Sequence, residues 1–471
     1  MKQYKRQVIA LIKRFVGDKG FYTRLFKLML PIMIQNGITN FVNMLDNIMI
    51  GTVGTAQMTG VAITNQLFFV FNLCIFGAVS GAGIFGAQFF GKKDYNGVHH
   101  TFRFKIMFCT ILTLAGIGLF VFMGEPLLNL YMQGEQGVTD SIATMNFAKS
   151  YMLIMLVGLL PYSIVQCYSS TLRESANPTL PMVAGVVAVG VNLVLNYILI
   201  FGKFGAPALG VNGAAIATVV SRFVELAIVV VFTHANKKRY HFMKGVYRSL
   251  YVPRRLMNQL FVKGLPLMIN ETLWASGLAV VSQCYSMRGL DAVASVNISQ
   301  TFWNVFSIAY MAVGAAIGII LGQMLGANKL KEAKEESYKL IAVSFAISVV
   351  VGAVYMVMAE FIPLAYNTEP EIRHLATRLM QITAIAMPFD AITHASYFTL
   401  RSGGKMMITI IFDCGFMWGA NVLLAFLLTH FTPLPFIAIF AVVQSISIIK
   451  GIIGLILVKN GFWIKNIISQ N

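Results

Sequence analysis

Five acidic residues interrupt stretches of sequence that are otherwise almost entirely apolar. They are Asp46, Glu225, Glu271, Asp390 and Asp413. An ionised carboxylate in a hydrocarbon environment costs at least about 2.5 kcal/mol on insertion scales, so each needs a basic partner, a bound proton, a bound cation or a wet cavity. These residues are therefore candidates for the uptake and release of a proton or a small cation, with a buried structural hydrogen bond as the alternative for each.

Amides accompany the first of these acids. Asp46 lies in the stretch NFVNMLDNIMIG, with Asn43 and Asn47 close by in sequence. A second pair of amides, Asn192 and Asn196, is spaced by four residues and so lies on one face of a helix. This spacing predicts a wet polar face that could serve the same site as Asp46.

The other acids differ in their surroundings. His394 follows Asp390 by four residues, so the imidazole could share a proton with the carboxylate or form part of a polar cavity wall. Glu225 has Arg222 one helical turn before it, which favours a structural ion pair. Asp413 follows no helix breaker, and we also expect a structural role for it.

The elements that must carry these residues are membrane-spanning helices. The chain of 471 residues is 57% hydrophobic and 11% charged, with a mean hydropathy of +0.73, far more apolar than a soluble protein needs. About 20 helical residues cross a hydrocarbon layer of about 30 Å, and no stretch has the alternating pattern of a membrane β-barrel. The expected fold is all-α, a polytopic membrane protein with twelve transmembrane helices. The predicted spans are residues 26–50, 59–89, 101–123, 145–170, 179–201, 209–233, 260–286, 292–322, 338–360, 375–400, 405–428 and 434–458.

Positive charges are concentrated in alternate loops. Eight Lys and Arg residues occur in the first 27 residues, and eight more occur in residues 234–263. The loops after the third and ninth predicted spans are instead rich in acids. Because basic loops face the cytoplasm, this pattern predicts a multi-pass protein of the cell membrane with both termini cytoplasmic. It also explains the net charge of +18 without nucleic acid as a partner.

The chain contains two copies of one pattern. A constant shift along the sequence carries LPIMIQN, which starts at Leu30, onto LPLMINE, which starts at Leu265. The same shift carries GIFGAQFFG (residues 83–91) onto GIILGQMLG (residues 318–326). Both copies begin on the predicted cytoplasmic side, so they have parallel topology. This is the arrangement of a transporter with two six-helix lobes.

Five segments follow from the spans, the charges and the repeat. They are a basic amphipathic cytoplasmic N-terminus (1–25), a first lobe (26–233), a basic cytoplasmic linker (234–259), a second lobe (260–459) and a cytoplasmic C-terminal tail (460–471). The N-terminal segment carries Val8, Ile9, Ile12 and Phe15 on one side. We expect it to lie along the anionic inner leaflet, with disorder as the alternative.

Gly81, Gly83 and Gly86 spell G-x-G-x-x-G, the fingerprint of a dinucleotide-binding loop. That loop must follow a strand and open a helix, whereas about twenty apolar residues precede these glycines. In the second copy the same positions hold Ala316, Gly318 and Leu321, so only small size on one face persists. The stretch therefore predicts close helix packing in lipid and no nucleotide cofactor.

The first-span stretch LPIMIQNGITNFVNMLDNIMIG, the stretch NLVLNYILIFGKFGAPALGVNGAAIAT (Asn192 to Thr218) and the repeated glycine-rich stretch together resemble the multidrug and toxic compound extrusion (MATE) family, closest to its NorM-type bacterial branch. The resemblance covers nearly the whole chain. It implies a two-lobe, twelve-helix fold that opens alternately to each side of the membrane. Such proteins export amphipathic, often cationic, organic compounds in exchange for entering Na⁺ or H⁺.

The resemblance also implies roles for individual residues. Asp46 matches the first-helix acid that takes up the proton or cation, with Asn192, Asn196 and Thr218 as its polar partners. From their places in the sequence, and not from the resemblance, Asn43 beside Asp46 and His394 beside Asp390 are further supporting polar residues. Glu271 and Asp390 match a seventh-helix glutamate and a tenth-helix aspartate of the NorM-type branch. The tyrosine expected one turn before that aspartate is Ala386 here, which puts Na⁺ coordination by this pair in doubt.

The expected mechanism is antiport by competition between cargo and coupling ion. An ionised carboxylate attracts a cationic compound, and the charge lost to an entering proton or Na⁺ weakens that attraction. Aromatic and methionine side chains would supply adaptable contacts. The candidates for this substrate cavity are Met33, Phe68, Phe69, Met268 and Trp274.

Two other functions compete with efflux. A lipid-linked oligosaccharide flippase of the same superfamily is the closest alternative, and it would need a basic cavity for a pyrophosphate. An enzyme would need a catalytic constellation, and no H-E-x-x-H, paired-aspartate metal motif or nucleophile elbow occurs in the sequence. We therefore expect a monomeric transporter with small organic substrates and the lipid bilayer as partners, and with no cofactor or metal beyond a transported Na⁺.

Overall fold

A computed structural model describes residues 15–132, 141–366 and 368–469, and every regular element in these ranges is helical. The predicted all-α class is therefore confirmed for the described chain. The helices are α1 (Lys19–Gly51), α2 (Thr55–Gly91), α3 (Tyr95–Met132), α4a (Ser141–Val157), α4b (Leu159–Glu174), α5 (Thr179–Phe201), α6 (Val211–Ala235), α7 (Arg254–Ser286), α8a (Leu290–Phe306), α8b (Ile308–Gly326), α9 (Leu330–Met358), α10 (Pro370–Ser402), α11 (Met406–Phe431) and α12 (Phe436–Asn460). The amphipathic stretch predicted before Phe15 lies outside the described residues.

The duplication seen in the sequence is also present in the helix boundaries. The shift that carries Leu30 onto Leu265 also carries both ends of helix α1 onto the corresponding ends of helix α7. The same shift relates α2 to the pair α8a and α8b, which is interrupted at Ser307. The two copies therefore have the same local structure over their first two spans.

In the described chain, nine helices are long and apolar enough to cross a membrane, and the bent pair α4a and α4b makes ten. The two predicted spans outside this count lie in α1 and α10. These helices carry Asp46 and Asp390 together with other polar side chains, which lower the mean hydropathy of each helix. The helices that least resemble membrane spans are thus the ones that carry candidate coupling residues.

Helix α4 bends by 47° at Gly158, where its two halves meet. Arg222 of α6 donates a hydrogen bond from Nη1 to the Gly158 carbonyl at 3.2 Å, so a side chain accompanies the break. Pro161 follows this bend by three residues and has no N–H to bond the Val157 carbonyl, so a kink is present where this proline favours one. Pro181 lies in the first turn of α5, where a missing N–H costs nothing. Prolines also lie inside the described helices at Pro31, Pro126, Pro266 and Pro388.

Contacts divide the chain into two compact units. The first contains Met1–Met33, Ala87–Lys93 and Ile269–Asn471, and the second contains Ile34–Gly86 and Asp94–Met268. Helices α1, α2 and α7 each contribute residues to both units. The lobe boundaries predicted from the sequence, 26–233 and 260–459, remain predictions.

In the second unit, the glycines of α2 allow close approach by other groups. A Cβ atom at Gly77 would lie 2.5 Å from the Met268 Cα, and one at Gly81 would overlap the Gly264 backbone. A Cβ atom at Gly83 would lie 2.5 Å from the Glu174 carboxylate, and one at Gly86 would overlap that carboxylate. The G-x-G-x-x-G stretch is therefore a packing surface for α7 and for a buried carboxylate.

In the first unit, the chain after α12 packs against the end of α2. The Gln88 side chain is buried and donates to the Ser402 carbonyl (3.0 Å) and the Lys465 carbonyl (3.3 Å), and it accepts from the Ile467 amide (2.9 Å). Trp463 is completely buried in the same segment. The residues that follow α12 are thus held by specific contacts as far as Ser469.

Candidate functional site

The second unit brings Asp46 together with the amides predicted to serve it. Asn196 Nδ2 donates a 2.6 Å hydrogen bond to Asp46 Oδ1. With the Asn192 amide turned so that its nitrogen faces the acid, it donates to the two Asp46 oxygens at 3.2 and 3.1 Å and accepts from Thr218 at 3.3 Å. This orientation satisfies both ends of the amide, because an ionised carboxylate only accepts hydrogen bonds.

Within the part of the chain that the structure describes, the Asp46 carboxylate forms no ion pair. Asn196 Oδ1 is buried and lacks a hydrogen-bond partner within the same described residues. The half-buried Asp46 carboxylate and the unpaired Asn196 amide oxygen are hard oxygen ligands. Together they can accept a proton or a small cation. Asn43, also predicted for this site, is exposed and is not among the hydrogen-bond partners of Asp46.

The first unit contains a separate cluster of charges on α7, α10, α11 and α12. Tyr397 donates a 3.0 Å hydrogen bond to Glu271 Oε1, and Arg401 Nη1 lies 3.7 Å from the same oxygen. Both partners come from α10, one helical turn apart. Glu271 is therefore held by a hydroxyl and a guanidinium, whereas Asp46 is held by amides.

Asp413 completes this cluster from α11. Its Oδ1 accepts from Lys450 Nζ of α12 at 2.8 Å, and its Oδ2 accepts from Asn270 Nδ2 of α7 at 3.0 Å. The Cys414 thiol lies 3.0 Å from Asn270 Oδ1. These contacts occur where α11 departs from α-helical geometry into π-helical turns over residues 411–415 and 417–422. Such turns occur frequently at functional sites.

Asp390 of α10 faces α12 as well. Its carboxylate lies close to Ser447 and interacts electrostatically with Lys450, which lies nearly one turn further along α12. His394 lies beside Tyr310, with ring centroids 6.0 Å apart, and it interacts electrostatically with Lys450. One lysine thus serves both Asp390 and Asp413.

The cluster holds more acid than base. Its carboxylates are Glu271, Asp390 and Asp413, and its permanent cations are Arg401 and Lys450. Three negative groups against two positive ones leave one carboxylate to be balanced by a proton or a cation. The sequence suggested Glu271 and Asp390 for this region, but it did not suggest that Asp413 belongs with them.

Several buried charges were missed by the sequence analysis. Lys105 of α3 forms a buried ion pair with Glu174 of α4b, at 2.6 and 2.7 Å to the two carboxylate oxygens. Lys450 and Arg401 have the roles described above. Lys105 and Lys450 both lie inside predicted spans, so the same search applied to basic residues would have found them. Glu174 and Arg401 lie just beyond the ends of predicted spans, where that search gives no signal.

Glu225 has a structural neighbourhood, as expected, although Arg222 is not within ion-pairing distance of it. Arg222 instead binds the Gly158 carbonyl and lies over the Tyr162 ring, at 5.1 Å from the centroid. Both Arg222 and Arg173 interact electrostatically with Glu225. The acid is thus compensated by two guanidinium groups at longer range.

The residues suggested for a substrate cavity have different surroundings. Phe68 is buried in a hydrophobic core, edge-on to Phe120 with centroids 5.4 Å apart. Phe69 is 49% exposed. Trp274 packs at the edge of a core cluster, and the half-buried residues of the set are Met33, Met268 and Trp274. Their roles in substrate binding remain predictions.

The chain matches a known protein family along most of its length. A model of the MatE family matches residues 31–198 and 266–427, one stretch in each copy of the repeat. A probable multidrug resistance protein NorM of Thermotoga maritima is 25% identical over 446 residues, which cover 94% of this chain and 93% of the relative. The corresponding NorM protein of Oceanobacillus iheyensis is 26% identical over 422 residues, covering 87% and 90%.

Solved structures share the fold at low sequence identity. A MATE protein in the straight conformation has a TM-score of 0.84 at 17% identity, with 95% of this chain and 97% of the other covered. A MOP superfamily transporter from Pyrococcus furiosus, described as having a binding pocket of reversed polarity and a suggested different function, has a TM-score of 0.82 at 17% identity, with 95% and 97% covered. A shared fold therefore does not fix the function of this chain, which depends on the residues of its own sites.

Proposed function

Since the chain belongs to the MatE family, we propose that it is a secondary active transporter that exports amphipathic, cationic organic compounds in exchange for entering Na⁺ or H⁺. Its relatives from Thermotoga maritima and Oceanobacillus iheyensis are named as probable multidrug resistance proteins, which supports efflux as the direction of transport. Two lobes that open alternately to each side of the membrane would carry the cargo, as the internal repeat suggests.

The observation that carries this proposal is the environment of Asp46. Its carboxylate is held by Asn196 and Asn192, with no ion pair among the described residues, so its charge is available to a mobile partner. A cationic compound or a coupling ion can serve as that partner, but not both at once. Entry of a proton or Na⁺ at Asp46 therefore weakens the attraction for the cargo.

The cluster around Glu271, Asp390 and Asp413 is the second coupling site of the proposal. Its surplus of one carboxylate requires one mobile positive charge, which a proton or Na⁺ supplies. Arg401 and Lys450 keep the remaining acids neutralised while that charge enters and leaves. We assign His394 to the wall of this site, beside Lys450.

The setting of the proposal is a cell membrane. The basic loops favour cytoplasmic termini and a cytoplasmic linker at 234–259. Small amphipathic cations are the proposed substrates, and the bilayer is the only other partner that the function requires. A monomer is sufficient for this mechanism, because both proposed coupling sites lie within one chain.

The test is transport of a fluorescent lipophilic cation by the purified protein in liposomes, with Na⁺ and H⁺ gradients imposed separately. We expect one of the gradients to drive transport, and Asp46→Asn to abolish it. Glu271→Gln should reduce transport at least about tenfold, because it removes the surplus charge of its cluster. Asp291→Asn is the matched control, since this exposed acid lies in the first turn of α8a and should leave the rate unchanged.

Two results would reject antiport: transport that needs neither gradient, or equal rates for Asp46→Asn and Asp291→Asn. Export of lipid-linked oligosaccharide is disfavoured because five basic side chains within the described helices lie near acids. The pairs are Lys105 with Glu174, Arg401 with Glu271 and Lys450 with Asp413, and Arg173 and Arg222 lie near Glu225. Translocation of a labelled lipid-linked sugar that is unaffected by Asp46→Asn would favour that alternative.

A further inference from the structure

The segment that joins α6 to α7 has an unusual charge distribution. Between Glu225 and Glu271 there is no acidic residue in the sequence, and the same stretch holds eight Lys and Arg residues. Its described structure includes two short 3₁₀ helices, His241–Met243 and Val246–Arg248. A solvated cytoplasmic loop would carry positive charge in any case. A binding site also requires that the side chains of the segment be held in a fixed arrangement.

The segment is fixed to the second unit by specific contacts. Arg103 of α3 donates from Nε to the Val246 carbonyl at 2.7 Å and from Nη1 to the Tyr251 carbonyl at 3.3 Å. A hydroxyl chain links three elements on the other side. Tyr168 of α4b lies 2.9 Å from His234 Nε2 and 2.5 Å from the Tyr247 hydroxyl. The linker therefore holds its side chains in a defined arrangement.

Between the end of α6 and this linker lies a pocket of about 210 Å³. It is far larger than a single water requires, since about 10–15 Å³ is enough for one. Three of its lining residues are permanent cations and none is acidic. The lining residues are Thr233, His234, Lys237, Tyr240, Met243, Lys244, Gly245 and Arg248.

One of the residues that line the pocket, Thr233, has a buried side chain. Its hydroxyl lacks a hydrogen-bond partner within the described residues. A buried hydroxyl without a partner costs about 1–3 kcal/mol, so such groups usually face a ligand or an ordered water. Thr233 lines the pocket together with Lys237, Lys244 and Arg248.

We propose that this pocket binds a phosphate group of an anionic molecule, with Lys237, Lys244 and Arg248 neutralising its charge and the Thr233 hydroxyl donating a hydrogen bond to it. Arginine and lysine are the side chains that recognise phosphate oxygens, and a hydroxyl adds a directed donor. The tyrosine and histidine of the adjoining hydroxyl chain would fix the linker around the bound group.

The surroundings of the pocket favour a lipid as the source of the phosphate. Thr233 and His234 belong to the last turn of α6, which is long and apolar enough to cross a membrane, so we place the pocket at the level of the membrane surface. Beside it the linker exposes large apolar side chains: Tyr247 is 50%, Leu250 58% and Tyr251 66% exposed. Tyrosine is enriched at the interface between membrane and water, where its ring meets acyl chains and its hydroxyl meets headgroups. Basic residues at this level attract anionic headgroups.

The experiment is native mass spectrometry of the full-length protein in detergent, titrated with phosphatidylglycerol or with phosphatidylcholine. The variant Lys237→Ala/Lys244→Ala/Arg248→Ala should weaken phosphatidylglycerol binding about 100-fold, since each basic residue near an anionic headgroup contributes a factor of about five. The matched control, Lys238→Ala/Arg254→Ala/Arg255→Ala, removes three exposed charges of the same linker that do not line the pocket, and should weaken binding less than about threefold.

Thr233→Val tests the pocket without changing its charge, and a loss of about tenfold is expected because one hydrogen bond to a charged group disappears. This variant decides the matter if the triple variant does not fold. A further arm titrates the protein with glycerol 3-phosphate. If that compound binds through the same residues more tightly than the lipid, the source is a soluble phosphate ester. Equal losses in the two triple variants, or equal binding of the two lipids, would overturn the proposal.

Discussion

Gly91 and Gly326 occupy equivalent positions in the two copies of the repeat, and each lies against the backbone of the other copy. A Cβ atom at Gly91 would overlap the Gln323 carbonyl, and one at Gly326 would overlap the Gln88 carbonyl. The two glutamines are themselves equivalent, because the shift that relates the two glycines also carries Gln88 onto Gln323. The ends of α2 and α8b therefore meet in a symmetric contact in which neither helix has room for a side chain.

Gly326→Ala should destabilise the protein, because the added methyl group has no space and the obstructing atoms belong to the backbone. Overpacking of this kind typically costs about 1–3 kcal/mol. Thermal unfolding in detergent micelles measures the effect. Gly118→Ala in α3 is the control, since a Cβ atom there meets nothing within 4 Å. Equal melting temperatures for the two variants would show that the helix ends can separate without loss.

The hydrogen bond between Asn196 and Asp46 predicts that the two residues act as a unit in transport. Asn196→Ala should lower the gradient-driven rate about tenfold in the native background, because it removes a hydrogen bond to the coupling carboxylate. In the Asp46→Asn background it should have little further effect. Rates of the four proteins form a double-mutant cycle, and additive losses would mean that the two residues act separately.

Lys450→Met should destabilise the protein by about 3 kcal/mol, because Asp413 loses its ion-pair partner and is left as an unbalanced buried charge. Asp413→Asn should cost less, because Lys450 keeps Asp390 as a partner. The double variant should recover part of the Lys450→Met loss, because Asp413 then no longer carries a charge. The comparison pair is Glu125 and Lys149, which lie 2.7 Å apart with side chains 54% and 43% exposed. Breaking that pair should cost less than about 1 kcal/mol. Denaturant titration of the five variants and the native protein measures the differences, and failure of the double variant to recover would contradict the pairing.

Gln88→Leu should release the chain that follows α12, since Gln88 makes three hydrogen bonds to residues 402–467. Hydrogen exchange followed by mass spectrometry should show faster exchange for peptides covering residues 463–469, with the Ile467 amide the most affected. Gln381→Leu is the control, because it removes an exposed hydrogen bond to Glu360 in the same unit. Unchanged exchange after Gln88→Leu would mean that burial of Trp463 alone holds the segment.

Much of the fold could be predicted from the sequence because its signals repeat along the chain. Long apolar runs predicted helices, and the shift that aligns Leu30 with Leu265 predicted that α1 and α7 would be equivalent, as their boundaries confirm. A kink in α4 can be predicted from Pro161, but the contact of Arg222 with the Gly158 carbonyl cannot, because it joins residues 64 positions apart. The break in α8 at Ser307 has no proline near it in the sequence and could not be predicted.

The candidate site could be predicted in part for a similar reason. Asp46, Asn192 and Asn196 were found because polar groups are rare in apolar sequence, and the structure does place them together. The partnership of Asp413 with Lys450 depends on which faces of α11 and α12 meet. The π-helical turns of α11 alter its residue spacing, so a search for polar residues at α-helical intervals cannot identify that face.

These π-helical turns have a mechanical consequence. A π turn holds more residues than an α turn, and each of its residues advances less along the helix axis. The π-helical residues between 411 and 422 therefore span a shorter length than they would in an α-helix. If the turns tightened to α geometry, α11 would lengthen without drawing residues from its loops. The residues on one side of the former π turns would also rotate about the helix axis, by about 100° for each extra residue that the π turns had held. Such a movement would separate Asp413 from Lys450 and would break the hydrogen bond from Trp418 to the Leu273 carbonyl. The length of α11 would thus be coupled to the ion pair between Asp413 and Lys450.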